Sequence, residues 1–285
     1  MGPPRREKRG GSIVPCVLLV EVGILGGTAA LAYQLEFTDA FPVHVGGFFC
    51  RDPDYGRPYP GPPTLSRAPP ALVYALVTAV PALTWGSCWA GWEGPGGVAP
   101  PPPRWERLCD QGTPIRRLLR FLGVFSFGLL TTTIFANAGQ VVLGTPAPHF
   151  LAVCRPNYSA LGCAPPSGPP QPHFVPPGDS PCSGDPPAVE AARRAFPCKE
   201  AALGAYAGAF AGLYVTLAWR GGGSRLAKPA AVLGFAAPPF LLGALRVAEH
   251  RNSWGDVLGG FLCGTGIAAF LVRPHKHPQT PQTYL

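Results

Sequence analysis

Six runs of the chain are too long and too apolar for a water-soluble core: about 12–33, 69–92, 118–143, 200–219, 228–246 and 254–272. A hydrocarbon layer about 30 Å thick is crossed by roughly 20 helical residues, and each run meets that length. Charged residues make up 13% of the chain and hydrophobic ones 47%, the balance of a membrane protein. Lipid offers no partner to a backbone N–H or C=O, so a spanning segment of this kind is helical. The sequence therefore predicts an all-α integral membrane protein built as a six-helix bundle. Pro81 in the second run and Pro238–Pro239 in the fifth free backbone groups that neighbouring helices must satisfy. Basic residues precede the first run as they would a leader peptide, but it stays apolar beyond Ala29 and is read as a retained anchor.

An even number of spans places both termini on one side, and basic residues decide which. The termini and the even-numbered loops carry fourteen of the 23 Lys and Arg residues, while most of the acids fall on the other side. Both termini are therefore expected in the cytoplasm. This gives a cytoplasmic N-terminus over 1–11, a membrane domain over 12–272 with outer loops at about 34–68, 144–199 and 247–253, and a short cytoplasmic tail over 273–285. The net charge of +8 then suits the anionic cytoplasmic leaflet. Without a basic face carrying aromatic or groove-entering elements, it does not indicate nucleic acid.

Cys50, Cys154, Cys163, Cys182 and Cys198 fall in the predicted outer loops, where disulfides persist. Five such cysteines leave one unpaired. Cys154–Cys163, closing RPNYSALG, is the first bridge expected and Cys50–Cys182 the second, although sequence does not fix connectivity. No CxxC spacing suggests a metal site, and no P-loop or dinucleotide fingerprint suggests a cofactor. Asn157-Tyr158-Ser159 is a glycosylation acceptor on an outer loop. That loop, 144–199, is rich in Pro and Gly and is expected to bury little, as a partly ordered flap. The Pro-rich connection over 94–117 reads as a cytoplasmic spacer. Small residues recur in the fourth run (GAYAGAFAG) and the sixth (GGFLCGTG), which predicts close helix interfaces there. Glu21, inside the first run, is expected to be protonated and hydrogen-bonded to a neighbouring helix.

The stretch LRVAEHRNSWGDV, 245–257, is a polar knot between two apolar runs, and QVVLGTPAPHF (140–150) and FPCKEAAL (196–203) end on the same predicted outer face. Three such segments can share one pocket. Together with EFTDAFPVHVGGFFC, TTTIFANAGQVV and VCRPNYSALGC, they resemble the lipid phosphate phosphatases of the type-2 phosphatidate phosphatase superfamily. The likeness is closest to the phospholipid phosphatase-related group and covers nearly the whole chain to about 272, with 84–112 unplaced. The resemblance implies a six-helix fold and three motifs, K-x6-RP, PSGH and SR-x5-H-x3-D. In active relatives a third-motif His attacks phosphorus, an Asp orients it, a second-motif His protonates the leaving alcohol, and Lys and Arg neutralise the phosphoryl oxygens. These roles need a nucleophile that is neutral near pH 7, a proton donor of matched pKa and fixed positive charge.

Here the first motif has Gln140 for Lys and Ala147 for Arg, keeping Pro148. The second keeps Pro197 and then reads Cys198, Lys199 and Glu200 for Ser, Gly and His. The third has Leu245 for Ser and Ser253 for the nucleophilic His, while Arg246 and Asp256 survive. Joint loss of a nucleophile, a proton donor and two cations predicts no functional catalytic residue. His149 and His250 are weak substitutes, and Cys198 lacks the Cys-x5-Arg cradle of a thiolate phosphatase. Lys199 and Arg246 remain candidate phosphate ligands. The expectation is a plasma-membrane pseudophosphatase that binds a phosphatidate-like or lysophosphatidate-like lipid, other family members or membrane proteins, and modulates bioactive-lipid signalling. The alternative is a residual phosphatidate or lysophosphatidate phosphatase. A transporter is a third class, poorly supported because Glu21 and Asn137 are few intramembrane polar groups for a conduction path.

Overall fold

The structure, a computed structural model, describes residues 13–38, 40–90, 114–163, 173–178, 181–218 and 226–272. The expected cytoplasmic N-terminus (1–11), most of the 94–117 connection and the tail (273–285) lie outside the described residues. Long helices occupy all six apolar runs: α1 (Ile13–Phe37), α2 (Pro70–Ala90), α3 (Pro114–Leu143), α6 (Lys199–Ala218), α7 (Ala227–Ala248) and α8 (Trp254–Leu271). Two short helices, α4 (Phe150–Cys154) and α5 (Pro186–Ala191), and a two-stranded antiparallel pair, β1 (Phe48–Phe49) with β2 (Phe174–Val175), lie in the connections. Among the described residues, Arg120–Leu143, Pro229–Ala248 and Trp254–Leu271 are long and apolar enough to cross a membrane. The α2 helix contributes the shorter apolar run Pro70–Val80, and the composition of α6 is weighted to Ala and Gly.

Helix α6 is the hub. It packs against α2, α3, α7 and α8, while α7 and α8 scarcely touch each other and α1 packs mainly on α3. The close approaches come from glycine. On α6, a Cβ at Gly208 would lie 2.4 Å from the Phe235 carbonyl oxygen of α7, and one at Gly204 would lie 3.2 Å from Pro239. On α8 the direction reverses: a Cβ at Gly264 would lie 2.1 Å from the Ala202 carbonyl oxygen, and one at Gly260 would lie 2.5 Å from that of Cys198. In lipid, where apolar burial does not drive helices together, such backbone proximity is what holds them. Both small-residue runs are therefore helix interfaces, as their spacing predicts.

Aromatic rings fill the other side of the hub. Phe125 packs against Tyr206 and Phe210 with ring centroids 5.6 and 5.4 Å apart, and the buried Tyr206 hydroxyl donates to the Phe125 carbonyl (3.0 Å). That bond satisfies a group which burial without a partner would penalise. Glu21 departs from expectation. It lies on an exposed face of α1 and has no partner among the described residues, because α1 touches the bundle along one side only.

The 144–199 connection also departs from expectation, since its described parts bury a small core of their own. Phe48, Phe150, Leu151, Cys154, Val175 and Ala192 pack together outside the six long helices, and the β1–β2 pair sets Phe48 opposite Val175. All four candidate cysteines are in disulfides, but the pairing is Cys50–Cys163 and Cys154–Cys182. The expected Cys154–Cys163 and Cys50–Cys182 bridges do not form, for a local reason. Arg155 takes a left-handed turn (φ 50°) after α4, and Pro156 then bridges to Cys182, placing Cys154 beside Cys182. The next turn carries Tyr158 under the Arg51 guanidinium, 5.4 Å from its ring centroid, and so brings Cys163 to Cys50. Of the five cysteines expected in outer loops, Cys198 is the one left free.

The Gly264 contact gives a direct test. Gly264→Ala is expected to destabilise the protein in detergent by about 1–3 kcal/mol through overpacking. Gly266→Ala, where an added Cβ meets nothing within 4 Å, is expected to leave the melting temperature unchanged.

Candidate functional site

The polar knot begins where α7 ends. Its last turn presents Arg246, and the chain leaves the helix at Glu249, passes through His250 in the left-handed region (φ 56°) and starts α8 at Ser253. This start is a capping box. The Ser253 N–H donates to Asp256 Oδ2 (2.7 Å) and the Asp256 N–H donates to Ser253 Oγ (3.2 Å), satisfying two of the donors a helix N-terminus leaves open.

The structure brings the three segments together. Gln140 Nε2 donates to the Pro197 carbonyl (3.0 Å), the Cys198 N–H to the Asp256 carbonyl (2.9 Å), and Asn252 Nδ2 to the Ala195 carbonyl (2.9 Å). Ala147 is buried and bonded through its backbone to Ala192, and the Pro148 carbonyl accepts from the Arg57 N–H. At the centre, Arg246 Nη2 lies 2.7 Å from Glu200 Oε1, with side chains only 11% and 12% exposed. Arg246 Nε also donates to Asn252 Oδ1 (3.3 Å). Lys199 is spent in the same way: its ammonium donates to Glu36 at the end of α1, a carboxylate that also accepts from Asn137 Nδ2 (2.6 Å). Each candidate phosphate ligand therefore already holds a carboxylate.

Counting the third motif from Arg246, five residues on and then one, reaches Asn252, from which Asp256 follows after three more. Ser253, the residue expected in the nucleophile's place, is one position too far. Asn252 is buried against Arg246 and Cys198, while Ser253 is exposed and caps α8. An amide cannot attack phosphorus. Cys198 does not take over that role, because burial, with Glu200 adding to it, pushes its thiol pKa up to about 12, so the thiolate is scarce near neutrality. His149 packs its ring against Tyr59 and bonds the His250 carbonyl through Nδ1 (3.0 Å). Burial, with Arg251 and Arg246 nearby, lowers its pKa. No cluster of His, Cys, Asp or Glu suited to a metal occurs among the described residues.

The rest of the knot fastens loops. Glu249 accepts from the Ser66 hydroxyl (2.6 Å), the Arg67 N–H (3.0 Å) and Arg251 Nε (2.9 Å). Burial works to raise the Glu249 pKa, but these donors hold it below its usual value. Arg251 Nη2 in turn donates to the carbonyls of Gly61 and Pro62.

A family model described as the PAP2 superfamily matches residues 121–277, a span that holds all three segments. The chain belongs to the PAP2 superfamily. It is similar to phospholipid phosphatase-related protein type 2 of Rattus norvegicus, 56% identical over 94% of this chain and 83% of the relative, and to the Homo sapiens protein of the same description, 56% identical over 95% and 81%. The type 5 protein of Mus musculus is 43% identical over 92% of this chain and 81% of the relative. The chain matches no solved structure. Membership makes it a multi-pass membrane protein, and Arg246 and Glu200 of the carboxylate-filled cluster lie within the matched span.

Reasoning from the sequence missed two residues of this cluster, Asn252 and Glu36. Asn252 was recoverable by counting the motif, and the Ser253-to-Asp256 spacing is itself a capping-box signature. Glu36 carried no signal beyond being an acid at the end of a span.

Breaking a buried ion pair by removing one partner costs about 3–5 kcal/mol, whereas replacing both partners by apolar groups is often neutral. Arg246→Met alone is therefore expected to destabilise the protein by about that amount. Arg246→Met with Glu200→Leu is expected to recover most of the loss, measured by thermal unfolding in detergent.

Proposed function

We propose that this PAP2 protein is a pseudophosphatase whose phosphate position is filled by its own carboxylate. The observation that carries this reading is the 2.7 Å contact between Arg246 and Glu200. Glu200 stands in the second motif where active relatives place the proton-donating His, and its oxygens take the guanidinium that would otherwise meet phosphoryl oxygens. Asn252 offers no nucleophile, Gln140 and Ala147 offer no cations, and Lys199 is held by Glu36. A lipid phosphate reaching Arg246 or Lys199 must displace an internal carboxylate, so recognition here is conditional and turnover has no attacking atom. We further propose a plasma-membrane protein with six spans, both termini cytoplasmic and the loops at about 34–68, 144–199 and 247–253 outside. It acts in bioactive-lipid signalling by engaging phosphatidate-like or lysophosphatidate-like lipids, family members or membrane proteins. The disulfide-linked extramembrane core supports the sidedness, since disulfides persist in oxidising compartments.

Two measurements check this reading. Purified protein is expected to release no more inorganic phosphate from phosphatidate or lysophosphatidate than its Asp256→Asn variant does; release that this substitution abolishes would establish an enzyme instead. Protein made through a eukaryotic secretory pathway is expected to shift in gel mobility on glycosidase treatment, and Asn157→Gln is expected to remove the shift. An unshifted wild-type band would put Asn157, which is exposed in its turn, on the cytoplasmic side.

A further inference from the structure

Between α6, α7 and α8 lies an apolar groove of about 420 Å³, within the range of small-molecule sites and separate from the Arg246 cluster. Its origin is geometric. Near their outer ends α7 and α8 meet at Gly243, where an added Cβ would lie 2.7 Å from both Val257 and Phe261. Below that point they diverge, each held to α6 rather than to the other. The floor is the small-residue face of α6 (Gly208, Ala209, Gly212), and the walls include Ala236 and Phe240 of α7 and Thr265 of α8. Two hydroxyls line it and neither is available to a ligand as a donor: Thr216 donates to the Leu213 carbonyl (2.8 Å) and Thr265 to that of Phe261 (2.6 Å), each within its own helix.

Length selects the occupant. On α6 the lining runs from Ala205 to Thr216, roughly 16 Å at 1.5 Å per residue, which is about half of a 30 Å hydrocarbon layer. Its two walls belong to the candidate membrane spans Pro229–Ala248 and Trp254–Leu271, so the medium meeting the opening is lipid. An unfilled apolar cleft would forfeit the dispersion contacts of every atom lining it. We propose that the groove is a binding site for one acyl chain of a membrane phospholipid, drawn from the leaflet on the side of the α6 C-terminus. The headgroup of that lipid lies across the membrane from the Arg246–Glu200 pair. The site thus serves a structural lipid and is separate from a phosphate-bearing ligand at the outer face. This inference depends on α6, α7 and α8 lying in the membrane and not on the absence of hydrolysis.

The test uses the full chain in nanodiscs containing phosphatidylcholine with a diazirine in mid-chain, irradiated and mapped by mass spectrometry. Adducts on residues 205–216 and 232–240 are expected to exceed those on the exposed Val20–Ile24 face of α1 by about fivefold, the ratio given by roughly 1 kcal/mol of retention. Gly212→Leu should abolish that excess without changing α1 labelling, because a Cβ there finds Val232 no nearer than 3.8 Å and the larger side chain fills the groove. Ala236→Phe, on an exposed wall, repeats the test independently should Gly212→Leu fold poorly. Adducts no more frequent than on α1, or adducts undiminished in a folded filled variant, would each overturn the proposal.

Discussion

The architecture depends on how near other backbones can come to α6. Two helices press onto it, one against its own glycines at 204 and 208 and the other through glycines of α8 at 260 and 264. Because the two approaches use different donors of space, α6 can be flanked on both sides without losing the side chains that fill its third face, Tyr206 and Phe210. Those rings then fix α3. The Phe125 and Gly128 turns of α3 sit against Tyr206, whose hydroxyl would collide with any larger residue at 128. The N-terminal end of α6 is consequently held in register with the end of α7 and the start of α8, and the polar cluster can form there.

That cluster is organised as matched charge. Glu36 and Glu200 come from α1 and α6, far apart in the sequence, yet each meets one of the two cations proposed above as phosphate ligands. A buried cation without a counterion is costly, and a carboxylate alone is equally so. Glu200 therefore supplies the counterion that the buried Arg246 needs; on the function proposed above, the same residue also stands in the place of a proton donor. The amide of Asn252 completes the arrangement by accepting from Arg246 and donating to the 195 carbonyl.

Much of this was legible in the residues. Apolar run lengths located all six long helices, because spanning segments carry a composition signal that tertiary packing cannot override. The spacing of small residues in GAYAGAFAG and GGFLCGTG identified the interfaces, since close backbone contact admits few side chains. What the sequence hid was long-range pairing. Nothing local links Glu36 to Lys199, and the disulfide partners follow from one left-handed residue, Arg155, and a single bridge at Pro156. Pro and Gly richness suggested a flap over 144–199, yet a few apolar residues, Phe150 and Leu151 above all, suffice for a core once two bridges tie the segment down.

The capping box changes how survival of a motif letter should be weighed. Asp256 matches the third-motif Asp by position, but its carboxylate closes the first turn of α8 and its carbonyl anchors the entry to α6. An aspartate at this place thus serves the architecture whether or not any phosphoester is ever cleaved. A chain scored for activity by tallying intact signature positions would be credited for a residue whose bonds here are those of masonry.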